Sequence, residues 1–160
     1  LAADIIVTAT GLTLQVMNGI ALSVDGAAVD PATLLAYKGM MYEGVPNLAT
    51  VFGYTNASWT LKCDLTCEYI CRLLNRMTRT GLRQATPRNH DAEIQREPWL
   101  SFSSGYVQRA MERFPKQGSK APWKLHQNYA RDLVSLRYAR LDDGVLEFSN
   151  PTPKAAKTAA

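Results

Sequence analysis

Apolar residues in this chain follow two rhythms, and the change from one to the other outlines its architecture. From Asp4 to Gly11 the run Asp-Ile-Ile-Val-Thr-Ala-Thr-Gly is apolar without in/out alternation. A strand of that kind wants both faces covered, as in a parallel sheet flanked by helices, so it predicts an α/β protein whose neighbouring strands lie mostly outside these residues. Ile20-Ala21-Leu22-Ser23-Val24 then alternates, Asp25-Gly26 offers a turn and Ala27-Ala28-Val29 returns, which reads as a small edge hairpin. Leu34 to Tyr42 is a short apolar stretch containing Gly39, and Gly44-Val45-Pro46-Asn47 is a turn. Leu48 to Phe52 predicts a second buried strand closing on Gly53.

From about Ser58 to Met77 the period becomes helical. Cys63, Cys67, Ile70, Cys71, Leu74 and Met77 fall on one stripe, with Glu68, Arg72, Asn75, Arg76 and Arg79 opposite. The stripe is expected to pack on a core, and Gly81 to end the helix. Leu82 to Pro98 is polar, carries two prolines and reads as a loop. Val107, Ala110, Met111 and Phe114 predict a short helix stopped by Pro115, and Lys116 to Lys120 a flexible basic loop. A third helix is expected from Pro122, with Leu125, Tyr129, Leu133 and Leu136 inward. Asp142-Asp143-Gly144 turns into a strand over Val145 to Phe148, and the tail from Asn150 has a disordered composition.

Composition narrows the class. The chain has 160 residues, 46% hydrophobic and 20% charged, the balance of a folded domain. No apolar run approaches the roughly 20 residues that span a bilayer, and no basic start with an apolar core marks a signal peptide, so the expected setting is cytoplasmic, without a transmembrane segment. The net charge of +4 is concentrated in residues 81 to 140, with 11 basic and 5 acidic side chains. Such a stretch suits a dinucleotide phosphate, a nucleic acid, an acidic partner or plain solvent. No nucleic-acid motif accompanies it, and no nucleic-acid partner is expected.

Few side chains suggest chemistry. Cys63, Cys67 and Cys71 lie about 6 Å apart along a helix axis, the outer two about 12 Å, too far for one zinc at roughly 2.3 Å from each sulfur. They read as small apolar residues, and no metal is expected. His90 and His126 lack triad or ligand spacing, and neither G-x-G-x-x-G nor G-x-x-x-x-G-K-[ST] occurs. What remains is Phe52-Gly53-Tyr54-Thr55-Asn56-Ala57-Ser58-Trp59-Thr60-Leu61-Lys62, a polar turn entering a helix. Free N–H groups there favour an anion or electron-rich ligand edge. Capping by Asn56 or Ser58 with Trp59 as a staple explains the same spacing equally well.

Asp4 to Gly11, followed by Pro46-Asn-Leu-Ala-Thr-Val-Phe-Gly-Tyr-Thr-Asn-Ala-Ser-Trp-Thr-Leu-Lys62, resembles the C-terminal part of flavin-dependent monooxygenases, in particular Baeyer–Villiger enzymes of the ethionamide-activating type. The likeness continues through Phe114-Pro-Lys-Gln-Gly-Ser-Lys-Ala-Pro-Trp123 and Gln127-Asn-Tyr-Ala-Arg-Asp132. It implies two Rossmann-like dinucleotide-binding domains, for FAD and NADPH, that precede these residues, and a helical extension. Residues 1–80 would be the return into the FAD domain, 81–149 the extension and 150–160 the disordered tail. By this resemblance Thr10 and Gly11 lie near FAD, and Gly53, Tyr54, Thr55, Asn56, Ser58, Trp59, Thr60 and Leu61 face its isoalloxazine ring. The loop Lys116 to Trp123 would fold over the nicotinamide dinucleotide, with Trp123 near the substrate. The implied reaction inserts one atom of O2 into a ketone or onto a sulfur of a small molecule. No residue here takes a catalytic role, so the segment alone is expected to be inactive. The alternative is a non-catalytic free-standing fragment or interaction module.

Overall fold

The computed structural model describes residues 2–11, 13–100 and 104–151. It is a mixed helix-and-strand structure in which one long helix is surrounded by four two-stranded antiparallel sheets. The expected strand over Asp4–Gly11 pairs with nothing among the described residues, and Ile5, Ile6 and Val7 are 80–85% exposed. Three consecutive β-branched apolar residues left in solvent form a patch that wants cover.

The edge hairpin is present. β1 (Leu22–Val24) pairs with β2 (Ala27–Val29), Leu22 opposite Val29. Asp25 and Gly26 both take positive φ, 53° and 85°, the requirement of a tight hairpin turn. The stretch after Leu34 forms a second hairpin, β3 (Ala36–Tyr37) with β4 (Met41–Tyr42), all four residues buried. Leu48–Phe52, however, is not a buried strand. It makes one bridge, Ala49 with Met41, while Ala49 and Val51 stay exposed. The run is held instead by Thr50, whose N–H donates to the Met40 carbonyl (2.7 Å) and whose hydroxyl lies 2.6 Å from that of Tyr42.

Helix α1 spans Trp59–Thr80. Gly81 stops it at φ 68°, with its N–H on the Thr78 carbonyl and the Leu82 N–H on that of Met77. The inward face differs from the expected one. Lys62, Leu65, Thr66, Tyr69 and Leu73 are buried, whereas Cys67 and Cys71 are exposed and Leu74 is 56% exposed. The helix carries apolar residues on two faces. The face with Tyr69 won because its hydroxyl lies 3.0 Å from that of Tyr37, whose own hydroxyl donates to Asp143 (2.6 Å). Hydrogen bonds let that face bury polar atoms as well as apolar ones.

The second half is more regular than its composition suggests. Within the expected loop 82–98 lie β5 (Gln84–Pro87) and β6 (Arg96–Pro98). Each proline ends its strand in a two-stranded sheet, where a missing N–H costs little. Helix α2 (Gly105–Ala110) runs into a short 3-10 turn over 111–113 and stops before Pro115, as expected. β7 (Lys116–Gly118) pairs with β6, so the segment read as a flexible basic loop begins as a strand. The third helix does not start at Pro122. The Ala121–Pro122 peptide is cis, and residues 122–128 are irregular. Helix α3 (Tyr129–Asp132) begins after Asn128, whose side chain accepts from the Arg131 N–H (3.0 Å), and continues as a π-helical turn over Leu133–Tyr138. β8 (Leu146–Ser149) pairs with β5, close to the expected strand. The tail expected to be disordered lies, from Thr152 on, outside the described residues.

The core joins the two halves. Leu35, Tyr37, Leu65 and Tyr69 pack with Trp123, Leu136 and Leu146, while Leu34, Tyr42 and Val45 pack with Trp99, Val107 and Phe114. Trp123 is 2% exposed and meets Tyr37 edge-on at 5.8 Å. It is a core residue, not one presented on a loop to a substrate. Among the described residues no helix is long and apolar enough to cross a membrane.

Candidate functional site

The structure gathers Gly53 to Leu61 into one junction between an irregular segment and the start of α1. Gly53 is buried, and a Cβ built on it would lie 2.2 Å from Trp59 Cδ2. Trp59 packs against Phe52 with ring centroids 4.8 Å apart and the planes tilted by 56°, which fixes the angle at which the chain enters the helix. Half of the indole is still exposed, as are Asn56, Ala57, Ser58 and Thr60.

The first turn of α1 is open. Ser58 occupies the N-cap position without a side-chain cap, its hydroxyl lying 3.0 Å from that of Thr60, and the turn contains no acidic residue. Asn56 is turned away, its amide donating to the Gln127 carbonyl (3.1 Å). Of the capping explanation, then, the Trp59 packing is found and the side-chain cap is not. The leading N–H groups of a 22-residue helix remain available, with the positive end of its dipole behind them. Such a donor set fits the electron-rich edge of a planar heterocycle or an anion.

The junction is braced from the far end of the sequence. Tyr54 is buried and its hydroxyl donates to Asp132 Oδ2 (2.7 Å), while Lys62 Nζ lies 2.9 Å from the same oxygen. Burial, then the hydrogen bond and charge of Asp132, holds the Tyr54 phenol protonated far above its ordinary range, so it acts as a fixed donor. The Gln127 side-chain oxygen accepts from both the N–H (3.1 Å) and the hydroxyl (3.2 Å) of Thr55. Gln127 itself sits at φ +49°, an unusual conformation for a residue with a side chain. Sequence reading missed Gln127, Asp132 and Lys62 as parts of this site. Seventy-odd residues separate them from their partners, and no periodicity reports a contact of that span.

Thr10 and Gly11 stand apart. Both are exposed, and no hydrogen bond joins them to the junction among the described residues. Beside the junction a cavity of about 550 Å³ is lined by Lys38, Lys62, Lys124, His126, Arg131 and Asp132 among others. Most of its cations are matched: Lys124 pairs with Glu97, and Lys38 donates to the Ser135 carbonyl and lies 3.5 Å from Asp143. Burial lowers the Lys38 pKa, with Asp143 opposing. No cluster among the described residues could hold a metal ion.

Comparison with known proteins bears on this geometry. The chain is 48% identical over 154 residues to "FAD-containing monooxygenase EthA" of Mycobacterium tuberculosis, covering 96% of this chain and 32% of that protein. It is 46% identical over 153 residues to "Probable FAD-binding monooxygenase AlmA" of Acinetobacter baylyi (95% and 31%). It is 47% identical over 148 residues to "Putative FAD-containing monooxygenase MymA" of M. tuberculosis (92% and 30%). The chain is homologous to one stretch of these flavin monooxygenases. It spans about a third of the length of the curated relatives it matches. No protein-family model matches it, and no solved structure matches it significantly. The likeness to these monooxygenases extends across both halves of the core, so the braces from Gln127 and Asp132 lie inside the matched region along with the turn they hold.

Proposed function

We propose that these residues form the C-terminal part of an FAD- and NADPH-dependent monooxygenase of the Baeyer–Villiger type. Residues 1–80 return into the FAD-binding domain and residues 81–149 form an extension beside the substrate region. The carrying observation is the uncapped N-terminus of α1, set in a sequence 48% identical over 154 residues to an FAD-containing monooxygenase. Its free N–H groups match the need to hold negative charge at the pyrimidine edge of a flavin.

In this reading Gly53 brings the backbone close, Tyr54 and Thr55 fix the turn, and Asn56, Ser58 and Thr60 line its polar rim. Trp59 and Leu61 add apolar cover that limits water at the ring. Thr10 and Gly11 end the strand that approaches FAD once its missing neighbours pair with it. The exposed Ile5-Ile6-Val7 run and the Cys67–Cys71–Leu74 face of α1 support preceding FAD and NADPH domains as the partners that cover them. The free thiols suit a reducing, cytoplasmic setting.

Bound FAD supplies the oxygen chemistry: one atom of O2 enters a ketone to give an ester, or a sulfur to give a sulfoxide, and the other leaves as water with two electrons from NADPH. The side chains described here bind and orient. Expression of the intact protein tests the reading: it is expected to purify yellow, with FAD bound. With NADPH, 18O2 and a ketone or thioether it should place one labelled oxygen in the product. A colourless protein whose spectrum ignores added FAD would overturn it.

A further inference from the structure

We infer that Gln127 and Asp132 are positioning residues that set the flavin-facing turn from the C-terminal extension. The inference rests on the proposed FAD reading and adds a control that the reading does not contain. The turn could have been held by its own helix through a side-chain cap, yet Ser58 makes none. Four hydrogen bonds and one ion pair from 127 and 132 take that place: Gln127 Oε1 accepts from Thr55 N–H and Oγ1–H, the Gln127 carbonyl accepts from Asn56, and Asp132 accepts from Tyr54 while pairing with Lys62.

Two features mark this as more than incidental contact. Gln127 keeps φ +49° with a side chain present, a conformation that persists where surroundings over-determine it, and here it aims two oxygens at one turn. Lys62 and Asp132 are each 7% exposed, so their charges are compensated chiefly by each other. Lys62 lies on the first turn of α1, close to the N–H groups proposed for the flavin. Movement of α3 therefore transmits directly to those donors, because a buried ion pair tolerates little slack. The helix N-terminus is left free for a ligand because its bracing comes from elsewhere.

The test uses the full-length holoenzyme, with FAD affinity and the flavin visible spectrum as readouts alongside turnover. Gln127→Ala should weaken FAD binding roughly tenfold, the lower end of what loss of a partner orienting a metal ligand costs, and shift the flavin band. Gln127→Glu retains an acceptor for Thr55 and should restore most of both. Should Asp132→Asn fail to fold, the paired replacement Lys62→Met with Asp132→Leu removes both charges and keeps the packed volume, while Tyr54 loses its acceptor. It should show the same spectral shift. Gly53→Ala serves as the control for the flavin reading itself. If Gly53→Ala alters FAD binding and spectrum while the Gln127 and Lys62/Asp132 variants leave both unchanged, the positioning role is overturned and the FAD site stands. If none of them alters the flavin, both fall.

Discussion

Gly53 and Trp59 are packed with no room for a Cβ: one on Gly53 would meet Trp59 Cδ2 at 2.2 Å and Trp59 Cα at 2.7 Å. One of those obstacles is backbone, so turning the indole aside cannot relieve it. The entry angle of α1 depends on this contact, and so does the direction in which its first N–H groups point.

Gly53→Ala is therefore expected to destabilise the junction by about 1–3 kcal/mol, the usual cost of overpacking. In the intact protein the measurement is thermal release of FAD, followed by flavin fluorescence. Release should begin several degrees lower in the variant. Identical release curves for the two proteins would show that the junction relaxes freely.

A second expectation concerns alkaline pH. Burial foremost, with the neighbouring Asp143 charge, pushes the Tyr69 phenol up to about 12, and burial raises Tyr37 and Tyr42 too. Since the folded value lies above the unfolded one near 10, stability from the neutral phenol is complete below pH 10 and is lost as pH rises toward 12. The full loss, reached above pH 12, amounts to roughly 3 kcal/mol. The Arg72 charge opposes the Tyr69 shift, and Lys38, whose Nζ lies 5.4 Å from the Tyr69 ring centroid and whose pKa is lowered, contributes the opposite slope up to 10.5. Comparison with Tyr69→Phe isolates the tyrosine. The variant should be less stable by about 1 kcal/mol at pH 8, through the lost hydrogen bond to Tyr37; because the wild type alone loses the larger linkage contribution, the gap should close between about pH 10 and 11 and reverse by pH 12. Urea midpoints at half-unit intervals measure it; a gap that stays constant across pH 8 to 12 would contradict the linkage.

Much of the local structure was legible in the sequence. Asp25-Gly26 between alternating residues gave the hairpin because turn chemistry and period are both local. The length of α1 and its Gly81 stop were readable for the same reason. Its inward face was not: Cys63, Cys67, Cys71 and Leu74 make a more apolar stripe than Lys62, Leu65, Thr66 and Tyr69, yet the second set is buried. What decides between them is the Tyr37–Tyr69–Asp143 and Tyr54–Lys62–Asp132 networks, whose members come from opposite ends of the chain. Strands β5 and β6 escaped notice because their partners lie some 60 and 20 residues away and their own residues include proline. The turn at Gly53–Leu61 stood out as a sequence, while the residues that hold it did not.

The outward face of α1 gives the last prediction. Cys67, Cys71 and Leu74 form an apolar strip open to solvent, beside which Trp59 and Leu61 are also partly exposed. If preceding domains cover this face in the proposed intact enzyme, the thiols are shielded there, although Cys67 and Cys71 are exposed among the described residues. Reaction with a thiol-specific reagent should then be slower in the native intact protein than in urea by about tenfold or more, equivalent to at least roughly 1.4 kcal/mol of local opening. Leu74→Glu should remove the protection, because a carboxylate forced into an apolar contact either breaks it or remains unpaired. Peptide mapping identifies which cysteine reacts. Native labelling of Cys67 and Cys71 as fast as in urea would mean that the strip faces solvent in the whole protein, and the proposed cover by the FAD-binding domain would have to be abandoned.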